Sequence, residues 1–170
     1  MAIEIERKFL LSNQRWRQQV VRTVTMCQGY LQQLPLQQGA YGASTSENNA
    51  SIRVRVSDDK AYLNIKSATI GIVRQEYEYQ IPVADANEIL KNLCVGPLIE
   101  KNRHFVKYAD HMWEIDEFSG DNAGLIVAEI ELTNENEAFE RPDWIGEEVS
   151  QDSRYYNVFL SSHPFKSWQD

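Results

Sequence analysis

Charges of one sign recur two residues apart in segment after segment of this chain, and that spacing restricts the fold more than any other feature. In an extended strand successive side chains point to opposite faces, so residues two apart share a face. The opening IEIERKF sets Glu4, Glu6 and Lys8 on one face and Ile3, Ile5 and Phe9 on the other. The same parity places Arg53 with Arg55 in IRVRV, Arg74, Glu76 and Glu78 together in RQEYE, and Lys101 with Arg103 in EKNR. It also pairs Glu114 with Asp116 in WEIDE and Glu129 with Glu131 in AEIEL, while Lys66 stands alone in YLNIK. A single strand of this kind is ordinarily a sheet edge with its polar face in water. Repetition changes the reading, because like charges on one face repel and a solvated face mixes signs with Ser, Thr and Gln.

Eight segments have strand character: IEIERKF, TVTMCQGYLQQ, SIRVRVS, AYLNIKS, IVRQEYEYQIP, LIEKNRHFVKY, HMWEIDEF and LIVAEIEL. Short turns join most of them, which predicts an α+β fold: an eight-stranded antiparallel closed β-barrel with helices packed outside. Periodicity by itself leaves an open sheet with one solvated face as the alternative. The expected helices are NQRWRQQVV, with Ser12 or Asn13 as N-cap, VADANEILKNLC, NENEAFE and SRYYNVFLSSH, with RPDWIG interrupting the last two. The Gly-, Ser-, Asn- and Gln-rich stretch from Leu34 to Ala50 is expected to be a disordered segment or a lid. With 170 residues, 42% of them hydrophobic, and no linker or repeat, residues 1–170 are expected to form one domain.

A formal charge of −8 argues against a general nucleic-acid or acidic-membrane binder, so any bound anion must be met by a local basic cluster. Neither a signal-peptide core nor a membrane span is apparent, and a cytoplasmic protein is expected. Cys27 and Cys94 fit no metal spacing and are expected to be reduced, partly buried thiols. His104, His111 and His163 lack the spacing of a zinc site. Trp16, Trp113 and Phe159 are expected to serve packing.

Rolling the charged rows inward would crowd both signs into a narrow lumen, where an unpaired charge loses several kcal/mol of hydration. Something bound must then help neutralise them. Clustered carboxylates are hard oxygen ligands suited to Mg²⁺ or Mn²⁺, and clustered Arg and Lys suit phosphate oxygens. A metal-bound polyphosphate satisfies both.

The ordered set resembles the CYTH, or triphosphate tunnel metalloenzyme, family, whose mark is an N-terminal E-x-E-x-K, here Glu4 to Lys8. R-x-R at Arg53 and Arg55, Lys66, R-x-E-x-E at Arg74 to Glu78, E-K-x-R at Glu100 to Arg103, Asp116, E-x-E at Glu129 and Glu131, and GEEVSQDSRYYN extend the resemblance over almost the whole chain. It implies a barrel whose tunnel takes a triphosphate moiety. By carry-over, Glu4, Glu6, Asp116, Glu129 and Glu131 resemble the metal-side carboxylates. Lys8, Arg53, Arg55, Lys66, Arg74, Lys101, Arg103 and Arg154 resemble the phosphate cradle. Glu6, Lys8, Tyr30 and Glu78 are also expected in the chemical step. Glu78 and Glu76 are expected to order basic neighbours or a water. Tyr30 resembles a tyrosine that works with the motif lysine in some members, and it reads equally well as a core aromatic. The departures are the long Leu34–Ala50 loop, His104 in place of Tyr, and Tyr156 in place of a small or basic residue.

The resemblance implies hydrolysis of a terminal phosphate with two divalent ions, one on phosphate oxygens and one orienting water. Inorganic tripolyphosphate is the expected substrate. Thiamine triphosphatase, nucleoside triphosphatase, class IV adenylate cyclase and a non-catalytic polyphosphate- or nucleotide-binding module are the alternatives. The expected partner is the small-molecule triphosphate, with neither nucleic acid nor membrane, and a homodimer is compatible with the sequence.

Overall fold

A computed structural model of the chain describes residues 3–31 and 50–168. The strands are β1 (Ile3–Leu11), β2 (Val20–Tyr30), β3 (Ala50–Ser57), β4 (Lys60–Ser67), β5 (Val73–Ile81), β6 (Val95–Tyr108), β7 (His111–Phe118), β8 (Ile126–Glu131) and β9 (Ile145–Glu148). The helices are α1 (Val83–Asn92) and the four-residue α2 (Asn157–Leu160). Antiparallel neighbours run β5-β4-β3-β2-β6-β7-β8-β1, and β1 returns to β5 through Ile3↔Gln75, Glu4↔Arg74 and Ile5↔Val73. Eight strands therefore close into a barrel, the size at which side chains can nearly fill the interior. Of the predicted Leu34–Ala50 loop, residues 32–49 lie outside the described residues and Ala50 opens β3. Among the described residues no helix is long and apolar enough to cross a membrane.

Period two sorts each strand as expected. On the outside of β1, β6, β7 and β8, Phe9, Val106, Trp113, Ile115 and Ile130 pack with Trp16 and Trp144 into one buried cluster. Phe9 and Trp113 meet edge to face at 5.6 Å between centroids, a favoured arrangement of aromatic quadrupoles. Outside β3 and β4, Val54 and Ala61 are covered by Ala86 and Leu90 of α1. The third cluster lies on inner-face positions: Tyr30, Ile99, Phe118 and Val127 meet Leu160 of α2 and form an apolar floor at one end of the barrel.

Three local expectations are corrected. NQRWRQQVV forms only a 3-10 turn over Arg15–Gln19, because Val20 and Val21 are drawn into β2; Asn13 Oδ1 still accepts from Arg15 N–H at 2.9 Å. NENEAFE is not helical: the Glu137 carboxylate accepts from both the backbone N–H and the hydroxyl of Thr133, so side-chain bonding competes with the helix. RPDWIG contributes to a ninth strand, β9, which pairs with β1 outside the ring through Phe9↔Glu148 and Leu11↔Ile145.

Both cysteines are free and half-buried, and burial raises each thiol. Cys94 also fixes the residue opposite it. A Cβ on Gly29 would lie 2.6 Å from Cys94 Sγ and 2.7 Å from Leu98 Cδ2, so only glycine lets this corner of β6 approach β2. Gly29→Ala should destabilise the protein by about 1–3 kcal/mol through overpacking, read as a lower urea midpoint at unchanged m-value.

Candidate active site

The inward rows line one cavity of about 1060 Å³. Glu4, Glu6 and Lys8 come to it from β1, Arg53 and Arg55 from β3, and Lys66 from β4. Arg74, Glu76 and Glu78 come from β5, Arg103 from β6, Glu114 from β7, and Glu129 and Glu131 from β8. Tyr30 also lines the cavity while its ring belongs to the apolar floor.

Charges that are distant in sequence interlock here. Lys8 lies opposite Glu129 and Glu6 opposite Glu131 across the β1–β8 pair. The Lys8 ammonium donates to Glu6 Oε1 at 2.6 Å and, through a short bond, to Glu129. Arg74 Nη2 donates to the same Glu6 oxygen at 3.0 Å, and its Nε reaches Glu4. Lys66 bridges Glu4 and Glu76, each at 3.0 Å. Along β3, β4 and β5 Arg55 Nη2 donates to Glu78 at 2.9 Å, and Asn64 Nδ2 donates to both Glu76 (2.8 Å) and Glu78 (2.6 Å).

Titration follows from this packing. Burial would lower the Lys8 ammonium, but Glu129 and Glu6 outweigh it and hold the group above the ordinary lysine range. Burial lowers Lys66, and Arg53 and Arg74 add to the effect against Glu4 and Glu6. Burial raises the Tyr30 phenol despite Arg53, Arg74 and Lys8, so its hydroxyl stays a donor at neutral pH. Glu129 is held well below the carboxylate range because Lys8 and Arg103 overcome its burial.

Three of the expected site residues stand apart from the cavity lining. Asp116 and Lys101 bond each other behind Arg103, with each side chain only 1% exposed, and Asp116 accepts from Arg103 Nε and Nη2 at 2.7 Å each. Arg154 is exposed and forked onto Asp152 two residues away. His104 also lies away from the cavity, held by Thr23 at 2.9 Å and Glu117 at 3.2 Å.

Two residues not singled out from sequence bear on the site: Tyr156 lines the cavity, and Asn64 lies behind the lining and holds Glu76 and Glu78. Asn64 shares parity with Lys66, which could have flagged it, although its neutral side chain carries no charge pattern. Tyr156 stands in the sequence only as a departure from the family pattern. Its hydroxyl accepts from Gly71 N–H at 3.0 Å and donates to Ser150 O at 2.7 Å, tying the approach to β5 to the segment that follows β9. Its ring centre stands 5.8 Å from Lys8 Nζ and 5.9 Å from Arg74 Cζ, so an aromatic face backs both cations.

The donor set suits a hard divalent cation. Glu131 faces Glu6 directly, and burial followed by repulsion from Glu4, Glu6 and Glu76 raises its carboxyl above the usual range. A cation bound there would relieve that repulsion. Among the described residues no three acidic, His or Cys side chains already stand as a metal-holding group.

A closed antiparallel barrel with oppositely charged rows facing a common cavity defines the class, and the CYTH domain profile matches residues 2–159; the chain belongs to the CYTH family. An inorganic triphosphatase of Acetivibrio thermocellus is 44% identical over 170 residues, covering 100% of both chains. An inorganic triphosphatase of Nitrosomonas europaea is 35% identical over 161 residues, covering 93% of this chain and 96% of that relative. The crystal structure of an inorganic triphosphatase shares 33% identity with a TM-score of 0.63, covering 95% of each chain.

Proposed function

We propose that the protein is a divalent-metal-dependent inorganic triphosphatase that hydrolyses tripolyphosphate to pyrophosphate and orthophosphate. The observation that carries this reading is the convergence of Lys8, Arg53, Arg55, Lys66, Arg74 and Arg103 on the cavity that also receives Glu4, Glu6, Glu129 and Glu131. The activity of the two relatives, similar along nearly the whole chain, supports it. Free, half-buried thiols suit a reducing cytoplasm.

In the ligand-free barrel each cationic row is neutralised by carboxylates. A bound triphosphate would give the Arg and Lys side chains phosphate oxygens as partners, and a divalent cation would give the carboxylates theirs. Glu4, Glu6, Glu129 and Glu131 would hold Mg²⁺ or Mn²⁺, which when bound supplies charge neutralisation and makes a coordinated water more acidic. Arg53 and Arg55 grip phosphate oxygens by guanidinium forks, and Lys66 adds a point charge. Lys8 remains protonated and stabilises developing negative charge, with the Tyr30 hydroxyl available as a second donor. Glu6, anchored at Oε1 by Lys8 and Arg74, is assigned to orient the attacking water and take its proton. Glu78, held by Arg55 and Asn64, fixes the β3–β5 side of the cavity. Most of the rate gain comes from positioning and electrostatics, as phosphoryl transfer requires.

Product analysis with Mg²⁺ or Mn²⁺ tests the reading. One orthophosphate and one pyrophosphate per tripolyphosphate are expected. Cyclic AMP with pyrophosphate from ATP would identify a cyclase instead, and binding without product would identify a sensor. Arg55→Ala removes a charge-assisted contact and should raise KM for tripolyphosphate by roughly 10- to 100-fold with a smaller change in kcat, measured from initial rates.

A further inference from the structure

One aromatic side chain of the cavity wall has no part in the reaction as proposed. Tyr156 is buried yet lines the cavity, and its ring centre stands 5.8 Å from Lys8 Nζ and 5.9 Å from Arg74 Cζ. Its hydroxyl is occupied by backbone, accepting from Gly71 N–H at 3.0 Å and donating to Ser150 O at 2.7 Å. Those two bonds tie the ring to both segments that fasten β1. Next to Gly71, Ile72 O accepts from Glu6 N–H at 2.8 Å. At the other end Ser150 Oγ accepts from Lys8 N–H at 2.9 Å, and Val149 N–H donates to Lys8 O at 2.8 Å. The ring is therefore held in register with the backbone of Glu6 and Lys8, the two residues assigned to the chemical step.

Lys8 and Arg74 both donate to Glu6 Oε1, at 2.6 Å and 3.0 Å, so one carboxylate oxygen keeps two like charges side by side. When Glu6 turns to the attacking water, that shared counter-charge weakens while Lys8 must face the phosphate. Two neighbouring cations with a weakened common partner repel each other. A further carboxylate in place of the ring would hold them, but it would also compete with the phosphate for their N–H groups. An aromatic face holds them without competing: its quadrupole attracts cations, adds no net charge and leaves the N–H donors free for phosphate oxygens.

Building on the triphosphatase reading, we propose that Tyr156 is a positioning residue whose ring face keeps Lys8 and Arg74 aimed at the reacting phosphate while Glu6 serves the water. The hydroxyl orients the ring, and the ring orients the cations. The role belongs to the electron density of the face rather than to its bulk.

Tyr156→Phe is the reference for the test, since it keeps the ring and drops the hydroxyl. Against it stand Tyr156→Leu and chains carrying phenylalanine with one, two or three ring fluorines at position 156. Fluorine draws electron density from the face and barely changes its shape. The expected result is a stepwise fall in kcat along the fluorinated series, reaching about 10-fold with three fluorines and in Tyr156→Leu, with a smaller change in KM for tripolyphosphate. Equal kcat along the series would overturn the proposal. A loss confined to KM would also overturn it, because the ring would then serve ground-state binding alone. Should Tyr156→Leu fail to fold, the fluorinated series decides by itself. If the wild type releases no orthophosphate from tripolyphosphate, the triphosphatase reading itself fails and the proposal falls with it.

Discussion

Asp116→Asn should cost the ligand-free protein roughly 3–5 kcal/mol of stability, the range for removing one member of a buried ionic cluster. Asp116 is 0% exposed and balances two cations, Lys101 and Arg103, on the same carboxylate. Asparagine preserves the shape but leaves those cations with a neutral partner in a region where water cannot replace it. Burial and then Arg103 already depress the Lys101 ammonium to about 8, with Asp116 acting against them. Without that carboxylate the folded-state value falls further. A lysine depressed in the folded state weakens folding most at low pH, and the penalty lifts as pH rises toward its unfolded value near 10.5. The variant's deficit should therefore widen as pH falls below about 8. Urea unfolding at pH 9 and pH 7 without divalent metal measures this. A metal ligand with no role in the resting fold would give the opposite pattern, with ligand-free stability intact and activity recovered at high metal concentration.

The placement of Asp116 also marks the limit of what period two can reveal. Parity correctly sets Glu114, Asp116 and Phe118 on one face of β7, yet it carries no information about depth along the barrel. Phe118 enters the apolar floor, Glu114 lines the cavity, and Asp116 lies between them. The same gradient runs through Ile99, Lys101 and Arg103 on β6. Depth depends on strand stagger, which emerges only when eight strands close. Arg154 escaped for a different reason: a carboxylate two residues away captures its guanidinium in a local fork, and no periodic element points it inward.

Much of the remaining fold was legible because charge and apolar alternation reinforce each other. On β1, Lys8 faces the cavity while Phe9 packs outside with Trp113, as period two requires. The direct opposition of like charges was not legible strand by strand. Glu6 against Glu131 and Glu114 against Glu129 follow from the order β7-β8-β1, set by tertiary pairing. β9 was hidden because four residues containing Gly146 have little intrinsic strand signal. Its place is secured by close approach to β1, where a Cβ on Gly146 would stand 3.0 Å from Leu10 O.

Glu131→Gln should reduce metal-dependent turnover by about 100-fold or more, on the scale of losing an anionic group that acts with a bound cation. The ligand-free fold should not suffer. Burial followed by Glu4, Glu6 and Glu76 raises the Glu131 carboxyl, and among the described residues no cation forms an ion pair with it. For a carboxyl raised in the folded state, the cost to folding is absent below the unfolded value near 4.5, builds as pH rises through the folded value, and is complete above it. Glutamine removes that cost at neutral pH, so Tm should hold or rise while activity falls. On the proposed assignment of Glu131 to the cation site, protons would compete with the divalent cation at this carboxyl. The metal concentration for half-maximal activity should therefore rise as pH drops through the raised value, and Glu131→Gln should flatten that dependence. Metal titrations of initial rate across pH, paired with thermal melts in chelator, distinguish this from a folding defect: retained metal affinity in the variant would remove Glu131 from the cation site, and a lowered melt would assign it to the barrel's own stability.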